Sequence, residues 1–442
     1  MVIRLVLLRH GLSSFNKDGL IQGRTNDSYL TDEGYKQARL AGNILKGIKF
    51  DKIYSSPLQR ASETAKTIVS CFDDQIDIEL NNNLLEVNLE KWSGLTFDEV
   101  KKNYPTSYEA WKNDPENLEI LDKHNNTYFP IKELYIQANE FIQKILDLNK
   151  NNRNQNILIV AHNAILRCLI LSLINKPRKG FRKIKLDNAS ISILNVSKKN
   201  GILKNQVECL NQTSHLQKSI PDQIGDSRII LVRHGETNWN KEGRFQGQID
   251  IPLNENGKAQ AERASIFLKD IKFNKVFSSS MSRPYETAKI IIKNSENLQI
   301  EKIDNLVEIS HGLWEGKLES EIKEKWPELL RRWHLSPEKA KMPEGESISE
   351  VSERSVLAWK NICLSQKKND ITLLVAHDAV NKTLLCNLLG LDFSDIWMIK
   401  QGNGGISVID IFTDSSKESV ISALNITSHL GSIIDKTASG AL

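Results

Sequence analysis

LVLLRHGLSSFN at residues 5–16 and ILVRHGETNWN at residues 230–240 are two versions of one segment, an apolar run that ends in Arg-His-Gly. The likeness continues along the chain. LTDEGYKQA (30–38) returns as LNENGKAQA (253–261), and SSPLQRASETAKTI (55–68) as SSSMSRPYETAKII (278–291). LLEVNLEKWSG (84–94) returns as LVEISHGLWEG (306–316), and LIVAHNAILRCLI (158–170) as LLVAHDAVNKTLL (373–385). The offset shrinks from 234 − 10 = 224 at the first histidine to 377 − 162 = 215 at the second. A unit duplicated once, with one connection of variable length, gives this drift. A period above 200 residues is too long for a solenoid and implies two whole domains. The expected domains are residues 1–220 and 226–442, divided in the polar stretch Gln217–Gly225, which holds Pro221 and Gly225.

The apolar runs read as strands and the segments between them as amphipathic helices. Ile3–Leu8, Lys52–Ser55 and Ile157–Ala161 match Ile229–Val232, Lys275–Ser278 and Ile371–Ala376. Thr31 suits a helix N-cap, with Asp32 and Glu33 in the first turn and Ala38, Ala41, Ile44 and Leu45 at helical spacing. A second helix follows Pro57. Strand–helix alternation predicts α/β domains, each a mostly parallel sheet flanked by helices. Ligands of such sheets sit at the carboxyl ends of strands, where both Arg-His-Gly and both Val-Ala-His blocks stand.

Composition narrows the function classes. Against 59 Lys and Arg stand 55 Asp and Glu, so the net charge of +4 offers no basic face for nucleic acid. No apolar run reaches membrane-spanning length. Met1–Leu8 is interrupted by Arg4 and reads as a strand rather than a signal peptide. Five cysteines, an odd number without a CxxC pair, argue against a disulfide framework and a zinc site. A cytoplasmic location is the expectation.

Each half delivers the same titratable set: Arg9, His10, Arg60, Glu86 and His162, then Arg233, His234, Arg283, Glu308 and His377. Two guanidiniums, two imidazoles and one carboxyl suit a phosphate ester. Arginine binds phosphate oxygens in a planar fork and stays protonated. Positive charge beside a histidine favours its neutral, nucleophilic form. The second histidine can donate to a phosphoryl oxygen, and a buried glutamic acid can protonate a leaving alkoxide. No acidic cluster suggests a metal, and no cofactor is expected.

Arg-His-Gly after a strand, Ser-Ser-x-x-x-Arg-x-x-x-Thr-Ala, Glu before Trp-x-Gly, and Val-Ala-His resemble, in this order, the histidine phosphatase superfamily with its phosphoglycerate mutase-like fold. The resemblance covers most of each half. It implies that His10 and His234 become phosphohistidines, that Glu86 and Glu308 are proton donors, and that Arg9, Arg60 and His162 (Arg233, Arg283 and His377) form phosphate pockets. It also implies pocket-lining places for Asn16 and Asn240, and for Gln22-Gly23 and Gln246-Gly247. The tandem layout is similar to a two-domain branch whose plant members are described as probable 2-carboxyarabinitol-1-phosphate phosphatases.

The copies differ. Leu12 and Glu90 in the first stand where the second has Glu236 and Gly312, and only the second has Pro343–Ser347, similar to the family's Pro-x-Gly-Glu-Ser. Glu90, if directed inward, would weaken anion binding by Glu86. Three functions compete: a phosphatase for a small phosphorylated metabolite, a bisphosphoglycerate-dependent mutase, and a phosphate-ligand binding or regulatory protein. The acid and second histidine are only 162 − 86 = 76 and 377 − 308 = 69 residues apart. The mutases carry a longer insertion there, so hydrolysis is the expectation. His215 and His429, in the repeated TSHL, read as structural, and Trp92 and Trp314 as core or pocket wall.

Overall fold

The segments that end in Arg-His-Gly are strands, Val2–Arg9 and Ser227–Arg233, and both are central in their sheets. In the computed structural model, which describes residues 2–122, 124–148, 153–174, 180–199, 202–295, 297–414 and 418–437, the chain forms two compact units. One comprises Met1–Gln206 with Asn211–Lys218, the other Val207–Leu210 with Ser219–Leu442.

In the first unit the strand order is Ile78–Leu80, Lys52–Ser55, Gln155–Ala161, Val2–Arg9, Ile191–Lys199. The first four run parallel and Ile191–Lys199 pairs antiparallel with Val2–Arg9. In the second, Ile300–Ile303, Lys275–Ser279, Ile371–Ala376 and Ser227–Arg233 repeat the parallel set. Ile406–Ile411 and then Val420–Ile426 add antiparallel strands. The sequence reading assigned no direction to these last strands, because antiparallel order comes from the path of the chain and not from local apolar pattern.

Central parallel strands are covered on both faces, so they read as continuous apolar runs rather than alternating ones. Ser227–Arg233 is buried at every position. Ile230, Val232, Leu373, Val375, Ile406 and Val408 pack with Ala264, Ala288 and Ile291 from the helices Glu255–Phe267 and Ser282–Ile291. The expected N-cap is present: Thr31 Oγ1 accepts from Gly34 N at 3.1 Å and starts the helix Asp32–Leu45, which buries Ala38, Ala41 and Leu45. Among the described residues no helix is long and apolar enough to cross a membrane.

Candidate active sites

Register explains why distant motifs meet. Arg9 pairs with Ala161 and Arg233 with Ala376, so each pair of neighbouring parallel strands ends at one level. The following residues, His10 beside His162 and His234 beside His377, leave the sheet side by side, with ring centroids 5.1 Å apart in both units. The backbone then turns so tightly that a Cβ on Gly11 would meet Gly34 O at 2.5 Å, and one on Gly235 would meet Gly257 O at 2.4 Å. Glycine is required there by close approach. The same turn places Gly11 N on Thr64 Oγ1 and Gly235 N on Thr287 Oγ1, both at 3.1 Å.

The first histidines are held as one tautomer. His10 Nδ1 donates to Gly11 O and His234 Nδ1 to Gly235 O, both at 2.7 Å. A carbonyl can only accept, so the proton is on Nδ1 and Nε2 carries the lone pair. Both rings sit well below the ordinary histidine pKa and stay neutral. Burial is the larger cause and the flanking arginines the smaller, whereas the sequence pointed to the arginines alone.

Arg60 and Arg283 enter from the second position of the helices Gln59–Val69 and Ser282–Ile291 and are fully buried. Arg60 Nη1 and Nη2 donate to Thr25 O and Gly23 O, both at 2.8 Å. Arg283 Nη2 donates to Gly247 O at 2.8 Å and its Nε to His234 Nε2 at 3.2 Å. Gly23 and Gly247 therefore aim an arginine through a carbonyl. Arg9 Nη1 donates to Leu186 O at 2.8 Å and Arg233 Nη1 to Gln401 O at 2.6 Å.

His162 and His377 each place Nε2 on a serine hydroxyl, Ser56 Oγ at 2.8 Å and Ser279 Oγ at 2.9 Å. Both are neutral, again chiefly through burial and then through Arg60 or Arg283. Among the described residues the buried atoms Arg9 Nε, Arg60 Nε, His162 Nδ1, Arg233 Nε and His377 Nδ1 have no partner. Buried donors without acceptors are costly. A dianion with several oxygens is the ligand that such a set suits.

Glu86 and Glu308 follow short turns, Asn82–Leu84 and Asp304–Leu306, rather than a strand end. Glu86 accepts from Val87 N at 2.8 Å, Ala164 N at 3.1 Å and Ile165 N at 3.2 Å. Glu308 accepts from Ile309 N at 3.0 Å and Asp378 N at 3.1 Å. Burial, then the Asp378 charge, raise the Glu308 carboxyl above the ordinary range.

The amide residues brace the first motif. Asn16 Oδ1 accepts from Asn188 Nδ2 at 2.9 Å and Arg9 Nη2 at 3.4 Å, and Asn240 Oδ1 from Asn403 Nδ2 at 3.3 Å. Gln22 Oε1 accepts from Ser28 Oγ at 2.9 Å. Gln246 satisfies its neighbours with its oxygen toward Arg283, at 3.2 Å from Nε, and its nitrogen toward Thr237 Oγ1 at 2.8 Å. Arg233, Asn240 and Gln246 are buried where Arg9, Asn16 and Gln22 are only half-buried.

Glu90 is exposed, so it does not crowd the first pocket as an inward carboxylate would. His215 and His429 are structural in geometry, with Nε2 on Ala189 O at 2.9 Å and Gly404 O at 3.0 Å. Trp92 and Trp314 are buried. His311 is buried among Phe245 and Trp333. Among the described residues no group of three or more His, Cys, Asp or Glu is placed to hold a metal ion.

The sequence reading missed the residues that hold the acid's backbone. In the second unit Arg354 Nη2 donates to Glu308 O at 3.0 Å and Nη1 to Val307 O at 2.6 Å, and Gln248 Nε2 also reaches Glu308 O at 3.0 Å. In the first, Arg24 Nε donates to Glu86 O at 2.8 Å and Gln137 Nε2 to Leu85 O at 2.7 Å. The offsets match Arg24 with Gln248 and Gln137 with Arg354, so one arginine and one glutamine have exchanged places. Ser56, Ser279, Thr64 and Thr287 were visible as repeated letters, without a role.

The chain is similar to known proteins in sequence. The sequence matches the histidine phosphatase superfamily (branch 1) over residues 5–208 and 229–425. A 2-carboxy-D-arabinitol-1-phosphatase from Triticum aestivum is 29% identical, covering 97% of this chain and 86% of its own. Phosphoserine phosphatase 1 of Hydrogenobacter thermophilus is 38% identical over 46% of this chain and 94% of its own. Among solved structures, Bacillus stearothermophilus YhfR aligns with a TM-score of 0.42 at 29% identity, covering 44% of this chain and 95% of that one.

Proposed function

The chain belongs to the histidine phosphatase superfamily (branch 1), and from that premise we propose that it hydrolyses small organic phosphate monoesters through a phosphohistidine, with one site in each of the domains 1–220 and 226–442. One observation carries the reading: a neutral histidine, its proton on Nδ1, whose Nε2 lone pair meets the buried Arg283 guanidinium.

The chemistry follows from the groups present. Nε2 of His234 attacks phosphorus with no proton to lose, because the ring proton is already on Nδ1. Arg233 and Arg283 neutralise charge on the equatorial oxygens and His377 donates a hydrogen bond to one, in a buried site where fixed donors act strongly. Glu308 protonates the leaving oxygen. Its carboxylate then takes a proton from the water that attacks the phosphohistidine. His10, Arg9, Arg60, His162 and Glu86 have the corresponding parts in the first domain.

Hydrolysis is favoured over the mutase reaction by a relative that spans almost the whole chain and is named as a phosphatase. Five cysteines without a disulfide fit a reducing, cytoplasmic setting. The test is release of phosphate from p-nitrophenyl phosphate by the full chain in the presence of a chelator. Robust bisphosphoglycerate-dependent interconversion of 2- and 3-phosphoglycerate with little release of phosphate would overturn it.

A further inference from the structure

The two units present their acids differently. In the first, the helix Asn163–Leu173 gives Glu86 the N–H groups of Ala164 and Ile165, and Val87 gives a third. In the second, the helix Asp378–Leu389 gives Glu308 one N–H, from Asp378, and Ile309 gives another. Bonds from N–H groups favour a carboxylate over a carboxylic acid. Glu86 thus accepts one more backbone N–H bond than Glu308.

The residue after the second histidine adds a charge difference. It is Asn163 in the first unit and Asp378 in the second. The Asp378 side chain is 4% exposed, with Oδ2 at 2.9 Å from Lys382 Nζ and Oδ1 at 3.4 Å from Arg233 Nη1. It is therefore a buried side chain beside the phosphate-pocket arginine, on the residue whose own N–H holds Glu308. The other groups facing Glu308 are Arg283 from the helix Ser282–Ile291, Arg233 from the strand end, and Arg354 from the helix Ile348–Leu364, which holds its carbonyl. Arg354 is itself paired with Glu346 at 2.9 Å. Arg233 and Arg283 favour an ionised Glu308, and Asp378 opposes them.

We propose that Asp378 is a positioning residue that keeps Glu308 available as a proton donor, so that the second site cleaves esters of poorly leaving alcohols. The inference rests on the phosphatase reading. In the step it governs, the bond from Nε2 to phosphorus forms, the ester P–O bond breaks, and the leaving alkoxide takes the Glu308 proton. Water then returns a proton to Glu308 as it displaces the histidine.

The experiment uses the full chain with His10→Ala, so that only the second site turns over. Glycerol 3-phosphate has a poor leaving group and p-nitrophenyl phosphate a good one. Asp378→Asn is expected to lower kcat on glycerol 3-phosphate about tenfold, one pKa unit's worth, and to move its alkaline limb to lower pH. The rate on p-nitrophenyl phosphate should change less than about twofold, and Asp378→Glu should restore the alkyl ester rate. The reciprocal Asn163→Asp in a His234→Ala chain should raise hydrolysis of glycerol 3-phosphate by the first site. Equal losses on both esters, or an alkaline limb that does not move, would overturn the inference while leaving the phosphatase reading intact. A parent chain that hydrolyses neither ester would overturn both.

Discussion

Arg283 Nε donates to His234 Nε2 at 3.2 Å, while His234 Nδ1 donates to Gly235 O at 2.7 Å. The guanidinium thus marks where the histidine lone pair points, and so where phosphorus must arrive. The same side chain fixes its own plane through Gly247 O at 2.8 Å.

Lysine cannot reproduce that fork, since its ammonium is a single point on a flexible stem. Arg283→Lys in the His10→Ala chain is expected to lower kcat/KM on p-nitrophenyl phosphate on the order of a hundredfold, the usual cost of losing one oxyanion donor. Steady-state kinetics of the purified variant check this. A change within twofold would show that the planar fork is not used.

Acid should unfold the protein before its carboxylates alone would. His10, His162, His234 and His377 are held well below 6.5, His215 and His429 at about 4, and His311 at about 3. Their folded pKa values lie below the unfolded one, so the unfolded chain binds more protons between the two. The stabilisation is full above about pH 6.5 and is lost as pH falls toward 4. Urea melts at pH 7, 6, 5 and 4 should show a midpoint that drops at each step. A flat midpoint down to pH 5 would refute the burial of neutral histidines.

Much of this site is legible in the sequence because its residues act through strand ends. Arg-His-Gly and Val-Ala-His each follow an apolar run, and parallel pairing of those runs brings His10 to His162 without further information. The acid is harder. Glu86 and Glu308 are held by residues far along the chain, Arg24 with Gln137 and Gln248 with Arg354, whose roles have traded places. A swap of that kind erases the repeat at both positions. The direction of Ile191–Lys199 and of Ile406–Ile411 was hidden for a related reason, since both strand senses show the same apolar pattern.

Gly312 shows what the second copy gains from its Pro343–Ser347 segment. Its φ is +52°, and a Cβ there would meet Pro343 O at 2.1 Å. Glu346 of that segment accepts from Ser310 N at 2.9 Å and pairs with Arg354, which holds the Glu308 carbonyl. Gly312→Ala is expected to displace the segment and lower hydrolysis by the second site at least tenfold, at a stability cost of about 1–3 kcal/mol. Thermal melts and kinetics of the His10→Ala, Gly312→Ala chain check both. Unchanged kinetics would mean that the segment does not position the acid.

His429→Ala should separate structure from chemistry. His429 Nε2 lies 3.0 Å from Gly404 O and its ring stacks on Phe267 at 5.1 Å. Losing that bond is expected to destabilise the chain by about 1 kcal/mol and to leave the pH–rate profile in place. A new limb in the profile would give this histidine a catalytic part.

The central claim is that phosphate passes through His234, and through His10 in the first domain. The direct measurement is to quench turnover of a radiolabelled phosphate ester by the full chain in base and map the label. The account predicts an acid-labile, base-stable phosphohistidine, with most of the label and most of the turnover lost in His234→Ala and less in His10→Ala. A dead His10→Ala beside a near-normal His234→Ala would place the turnover in the first domain. Activity that needs Mg²⁺, with no labelled histidine in any quench, would contradict the account.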